Sequence, residues 1–296
     1  MKKVKDIIFS CSLLLIGSAI FAQQESIITM YTDQMNIVNP AYAGVDGTSL
    51  SIGNRKQWIG INNAPETQML SFGTSVGKNL GIGISAISDK TFIEKQTNVG
   101  VDFSYKIKMS PETDVYLGIK AGGNFHEINT SGLSTYNTTG DPGLRFYNSF
   151  DPNIGVGVLL KKDTYYLSFS IPRLINSVRA RNEGYQIYVS TDRPHLYFSG
   201  GKEFNLGTRS EMVLKPSFML RYVKGALLSI DYNLGLSFYK FFELGVLYRS
   251  NNAMGGIVKF NISKRLIFGY AYEVPTRTDL TRSMNTNEFI LKYNFR

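Results

Sequence analysis

From Leu50 to Phe295 apolar residues return at every second position in stretch after stretch, the pattern of β-strands with one apolar face. In 99–107, Val99, Val101, Phe103, Tyr105 and Ile107 fall on one face, with Gly100, Asp102, Ser104 and Lys106 on the other. Leu80, Ile82, Ile84 and Ala86 alternate with Gly81, Gly83 and Ser85. Leu117, Ile119, Ala121, Gly123 and Phe125 alternate with Tyr116, Lys120, Asn124 and His126. Carried to the C-terminus, the pattern gives about fourteen segments of about ten residues, the length a tilted strand needs to cross a bilayer. The alternation is thinnest in the first (Leu50–Ile52), the eighth (Leu196–Phe198) and the twelfth (Val258–Ile262).

The links between segments divide by parity. Gly77–Asn79, Lys108–Asp114, Lys161–Thr164 and Ser237–Lys240 are short and even-numbered. Asp89–Thr97, Ile128–Asp151, Arg173–Pro194 and Pro275–Thr286 read as long loops and are all odd-numbered, as in a barrel with periplasmic turns and surface loops. A soluble sandwich also alternates, but its outer faces carry charge. Here the non-apolar face holds mostly Gly, Ser, Asn, Lys and Asp, and aromatic residues stand at segment ends (Tyr105, Phe125, Tyr165, Tyr222, Tyr248, Tyr272, Phe295) like an interfacial girdle. The expectation is an all-β fold: a transmembrane, antiparallel, up-and-down β-barrel of about 14 strands, closed because lipid offers an open edge no partner. An even strand number places the N- and C-termini on one side, expected to be the periplasmic side of an outer membrane.

Residues 1–22 read as a signal peptide: Lys2, Lys3 and Lys5, then an apolar run from Ile7 to Phe21, with Ala22 at the cleavage point. The only cysteine, Cys11, lies in that run, so the remaining chain offers no disulfide or thiolate site. Without the signal, the net charge of +9 falls to +7, and its basic residues are scattered rather than clustered, which argues against nucleic acid. Segment 23–47 is the N-terminal periplasmic or plug segment, and 48–296 is the transmembrane barrel.

Catalytic and metal chemistry find little support. His126 and His195 are far apart, with no HExxH spacing around either, and they read as hydrogen-bonding residues of lumen or rim. No GxSxG occurs. Gly81–Gly83 and Gly155–Gly157 repeat at strand spacing and are lumen glycines, not phosphate loops. No catalytic residue, metal or cofactor is assigned. The long loops are more informative: Ile128–Asp151 mixes Ser, Thr, Asn and Gly with Tyr136, Phe146 and Tyr147, and Arg173–Arg193 carries Arg173, Arg179, Arg181 and Arg193 against Glu183 and Asp192. They fit either a basic surface for an acidic or extended partner, or solvated barrel loops.

The leader ahead of the first strand narrows the class. Asn39-Pro40-Ala41-Tyr42-Ala43-Gly44, then Arg55-Lys56-Gln57-Trp58-Ile59-Gly60, then Ala64-Pro65-Glu66-Thr67 resemble the signature of the PorP/SprF family of type IX secretion barrels of Bacteroidota. Ser170-Ile171-Pro172-Arg173-Leu174 and Leu214-Lys215-Pro216-Ser217 echo it further on, so the resemblance runs from about Tyr31 to the C-terminus. It implies a non-enzymatic outer-membrane protein of the secretion and gliding machinery. Such proteins support export or surface attachment of large adhesins through the cargo's C-terminal domain, with ring and motor components as periplasmic partners. The signature residues Asn39, Pro40, Tyr42, Gly44, Arg55, Gln57, Trp58 and Pro65 are then candidates for plug geometry or partner contact. Asn39 to Gly44 suit a turn against the wall, Arg55 and Gln57 face the lumen, and Trp58 reaches the outer rim. A second reading is a plugged transport channel of the fatty-acid-transporter class, which the polar lumen face disfavours.

Overall fold

Each alternating segment forms a strand whose apolar face points outward. The computed structural model describes residues 27–129, 147–182, 187–207, 211–250, 253–276 and 284–295, without the side chains of 147, 177–182 and 187–192. The leader contains three short 3-10 turns, η1 (Tyr31–Asp33), η2 (Met35–Ile37) and η3 (Pro40–Tyr42). The strands that follow are β1 (Ser49–Lys56), β2 (Glu66–Val76), β3 (Leu80–Thr91), β4 (Glu94–Lys108), β5 (Thr113–Ile128) and β6 (Tyr147–Lys162). Next come β7 (Tyr165–Ile171), β8 (Ser177–Asn182), β9 (Ile187–Asp192), β10 (His195–Lys202) and β11 (Phe204–Leu206). The last are β12 (Met212–Val223), β13 (Ser229–Phe238), β14 (Phe242–Arg249), β15 (Ala253–Asn261), β16 (Leu266–Pro275) and β17 (Thr286–Asn294).

Fourteen of these close into one antiparallel barrel. β1 to β7 pair in order, β7 pairs with β10, β10 with β12, β12 to β17 continue in order, and β17 returns to β1. β11 is an extra strand on the start of β12, and β8–β9 form a separate hairpin in the β7–β10 link. All fourteen expected strands are present, the thin first, eighth and twelfth included.

The faces are inverted relative to a soluble protein. Phe103 and Tyr105 are 40% and 53% exposed, while their neighbours Asp102 and Ser104 are buried. Arg55, Asp231, Arg249, Glu273 and Glu288 are also buried, inside the barrel. This arrangement suits a wall with lipid outside and a polar lumen within.

The end where β1 starts and β17 stops is called the lower rim, and the opposite end the upper rim. Three expected loops at the upper rim are strand in whole or in part; in Ile128–Asp151 the last five residues belong to β6, with Tyr147 paired to Ile128. Asp89–Thr97 stays paired through Thr91↔Glu94, and β3 turns into β4 at Phe92 with φ +53°. Arg173–Pro194 contains the β8–β9 hairpin. At the β3–β4 tip the reason is that Lys90, Thr91 and Phe92 are all exposed, so no apolar alternation marks the strand there. β4, β5 and β6 run 15, 16 and 16 residues against 8 for β10 and β14. At about 3.4 Å per residue the longest span ~54 Å, well over a tilted crossing, so this wall stands tall above the upper rim. The expected signal 1–22, the loop residues Tyr136, Phe146 and Glu183, and the terminal Arg296 lie outside the described residues.

Candidate functional site: the leader in the lumen

Residues 28–43 lie inside the barrel, and most of them are buried. Their sequence cannot form a long helix or a strand: polar side chains are interspersed throughout, and Pro40 removes a donor. Instead, Asn39 is extended (φ −143°, ψ 110°) and caps η3, its side chain accepting the Ala41 N–H at 2.9 Å, with Pro40 at the first position where no N–H is lost. The Asn39 amide donates to Val158 O (3.2 Å) and Phe169 O (3.5 Å), so one side chain both shapes the turn and ties it to β6 and β7.

The surface under this turn is a single hydrogen-bonded row of small residues, Gly81–Ser104–Gly118–Gly157–Ser170, running across β3 to β7. Each member touches the leader. Ser104 Oγ donates to Ala43 O at 2.6 Å, and Ser170 Oγ donates to Val38 O at 2.7 Å. A Cβ at Gly118 would sit 2.1 Å from Ala41 N, and one at Gly81 or Gly157 would strike Ala43 O or the Asn39 amide. Gly44 has φ +72°, and a Cβ there would lie 2.4 Å from Thr74 O, so glycine is required both by conformation and by space. Higher up, Asn36 donates to Phe72 O at 3.0 Å and accepts from Ser71. Lys120 donates to Asn36 O (2.9 Å) and Ile37 O (3.2 Å) and pairs with Asp102 (3.0 Å).

The opposite wall holds the start of the leader by charge. Glu288 accepts the Thr29 and Met30 N–H groups, both at 2.8 Å, and Arg55 Nη1 donates to Thr29 Oγ1 at 2.6 Å. Arg55 pairs with Glu273 (2.9 Å) and Glu288 (3.2 Å). Arg249 bridges Glu273 (2.9 Å) and Asp231 (2.9 Å), and Arg221 ends the chain on Asp231 (2.7 Å). Three arginines and three carboxylates thus form one neutral chain of ion pairs, Arg221–Asp231–Arg249–Glu273–Arg55–Glu288, a belt over β12, β13, β14, β16, β17 and β1 that is buried except at Arg221. Lower down, Asp33 pairs with Lys259 at 2.7 Å, and Glu243 with Lys259 (3.2 Å) and Lys215 (2.9 Å). A cavity of 620 Å³ remains between this wall and the leader, lined in part by Asp33, Tyr42, Lys215 and Lys259.

The belt also sets the leader's direction. Arg55 is the seventh of eight residues in β1, and Glu273 is third from the end of β16, so Thr29 sits near the upper rim. Residues 28–30 therefore lie toward the upper rim, opposite the C-terminal strand end. The leader runs the height of the lumen because its first free N–H groups find their carboxylate near the top.

The signature residues divide into two groups. Asn39, Pro40, Tyr42, Gly44 and Arg55 are leader and leader-holding residues; Tyr42 meets Tyr166 edge-on at 6.2 Å. Gln57, Trp58 and Pro65 shape the β1–β2 loop: the Gln57 N–H donates to Pro65 O at 2.9 Å, and Trp58 has φ +51°. Arg173 donates to Asn98 on β4 at 3.3 Å, whereas Arg193 donates to Lys224 O at the β12–β13 turn, so these two do not gather into one patch. Arg179 and Arg181 lie on β8, with side chains outside the described residues. His126 meets Glu94 at 2.5 Å and His195 Nδ1 lies 3.0 Å from Arg193 O; no group of three or more metal-ligating side chains occurs among the described residues. Glu273, Glu288, Asp231 and Arg249 were not singled out from sequence. Their only signal is a charge on the lumen face of a strand, alone on β13 and β16 and shared with Glu243 on β14 and Lys292 on β17.

Fold and lumen together define a class, a fourteen-stranded outer-membrane barrel filled by its own N-terminal segment. A family described as "Type IX secretion system membrane protein PorP/SprF" matches residues 20–293, and the chain belongs to it. Among solved structures the chain is similar to the toluene transporter TodX of P. putida, at 10% identity and TM-score 0.50 over 90% of this chain and 95% of that one. It is also similar to the CymD monoaromatic hydrocarbon channel, at 11% identity and TM-score 0.51 over 88% and 91%. At such identity the likeness concerns the fold. No curated protein matches the chain.

Proposed function

We propose that this outer-membrane barrel supports secretion or cell-surface attachment of a large adhesin-type cargo, engaging the cargo's C-terminal domain at the upper rim. The ring and motor components of the type IX machinery meet it at the lower rim, which is then the periplasmic side. The observation that carries this reading is the leader. A lumen occupied by the chain's own segment, bonded to both walls, suits a barrel that docks proteins at its rims rather than one that passes solute. Family membership supplies the secretion context. Deleting the gene is expected to leave one large adhesin unexported or shed while the outer membrane stays intact; unchanged adhesin display and motility would sink the proposal. A plugged transport channel is the second reading, favoured by the 620 Å³ cavity left beside the leader. Steady ion conductance or liposome swelling by the purified wild-type barrel would move the assignment to that reading.

A further inference from the structure

The outer face of the barrel is not evenly filled. Along β7, β10 and β12–β15 one outward row reads Leu167–Gly200–Phe218–Tyr232–Tyr248–Met254 in register. The row beneath it reads Pro216–Leu234–Val246–Gly256–Tyr272, with Lys202 at its β10 end. Gly256 leaves the row open as a trough beside Pro216 and the branched neighbours, since a Cβ there would meet nothing within 4 Å, whereas the Leu167 and Phe218 side chains fold over Gly200 and close the row above. The resulting cavity holds 1230 Å³, and among its lining residues Lys202 alone is charged. Lys202 lies over the Phe204 ring at 4.7 Å and has no carboxylate partner among the described residues.

The trough has the dimensions of one lipid chain in one leaflet. It crosses five strand spacings from β10 to β16, about 24 Å at ~4.8 Å each. Because the strands are tilted by about 45°, a row perpendicular to them climbs ~17 Å, roughly half the ~30 Å hydrocarbon thickness. It starts at Lys202, where β10 ends at the lower rim, and climbs to Tyr272, the seventh of the ten residues of β16 counted from that rim. A cation at the interface, an apolar channel of leaflet depth and a lining free of acidic side chains match one kind of occupant.

We infer that this trough binds an anionic phospholipid of the lower-rim leaflet, its acyl chain along the trough and its headgroup at Lys202. The purified full-length barrel would be reconstituted with equal phosphatidylglycerol and phosphatidylcholine of identical acyl chains, then extracted in mild detergent, with retained lipid read by native mass spectrometry. Wild type is expected to retain phosphatidylglycerol over phosphatidylcholine by about fivefold, the effect of one lysine near an anionic surface. Lys202→Glu should remove that preference. Gly256→Trp should remove the retained lipid itself, while Ile119→Trp on the other wall should change neither. Correct folding of each variant is read from its heat-dependent electrophoretic shift, and if Gly256→Trp does not fold, Lys202→Glu decides alone. Equal retention of the two lipids by wild type, or wild-type preference in Lys202→Glu, would overturn the inference. So would preferential retention of added oleate, or disulfide capture of a second copy through Gly256→Cys.

Discussion

The wall from β3 to β7 holds the leader mainly by shape, with Lys120 as its one charged contact described above, and the wall from β12 through β17 to β1 holds it by charge. On the first, glycines and serines let backbone lie against backbone, and the bonds run to carbonyls that any sequence would provide. On the second, the bonds run to specific carboxylates paired with neighbouring arginines. The two walls therefore differ in what they tolerate. The shape-holding wall accepts no added side chain, whereas the charge-holding wall accepts changes of size but no unpaired charge. A buried ion pair adds little net stability beyond well-packed apolar groups, yet breaking one is costly. The belt therefore fixes where the leader goes more than how stable the barrel is.

The largest effect is expected from Gly118→Leu. Its Cβ would overlap the Ala41 backbone at 2.1 Å, and backbone cannot swing aside as a side chain can. The penalty should exceed the ~1–3 kcal/mol of ordinary overpacking and eject the leader. Limited proteolysis of the detergent-solubilised barrel should then cut within 28–44, where wild type resists; a protected leader would break the shape half of the comparison.

Arg55→Ala comes next, leaving Glu288 without its cation and Glu273 with Arg249 alone. A loss of about 3–5 kcal/mol is expected for removing one partner of a buried pair. Arg55→Met combined with Glu288→Gln should recover much of it, since no charge is then left unpaired. Urea unfolding in micelles checks this: if both variants lose the same stability, the belt acts through packing and not charge.

Asn39→Ala should have the smallest effect, ~1 kcal/mol, typical of a lost cap, because Gly118 and Gly157 still seat the turn. The midpoint should fall with the denaturant slope unchanged. A loss as large as that of Arg55→Ala would show that the Asn39 bonds to Val158 and Phe169 matter more than the cap itself.

Some of this was legible in the residues and some was not. Val99 to Ile107 could be assigned to the outer face because lipid demands an apolar side chain at every second position. Asp89 to Thr97 could not be read as strand because Lys90, Thr91 and Phe92 at its tip are all exposed, so no apolar alternation marks it there. The turn chemistry of Asn39-Pro40 and the freedom at Gly44 were readable, being local. The belt was not: Thr29 and Glu288 are 259 positions apart, and Arg55 and Glu273 are 218 apart. Nothing in a single strand shows which lumen charge will face which.

The sequence by itself determined a closed fourteen-stranded wall, because backbone in lipid must pair and the period of two fixes which side faces out. It also marked Asn39 to Gly44 as a turn against that wall. Only the tertiary structure decided that the leader runs up the lumen to the upper rim, because barrel closure brings β1, β16 and β17 together and assembles the carboxylates that receive its first N–H groups.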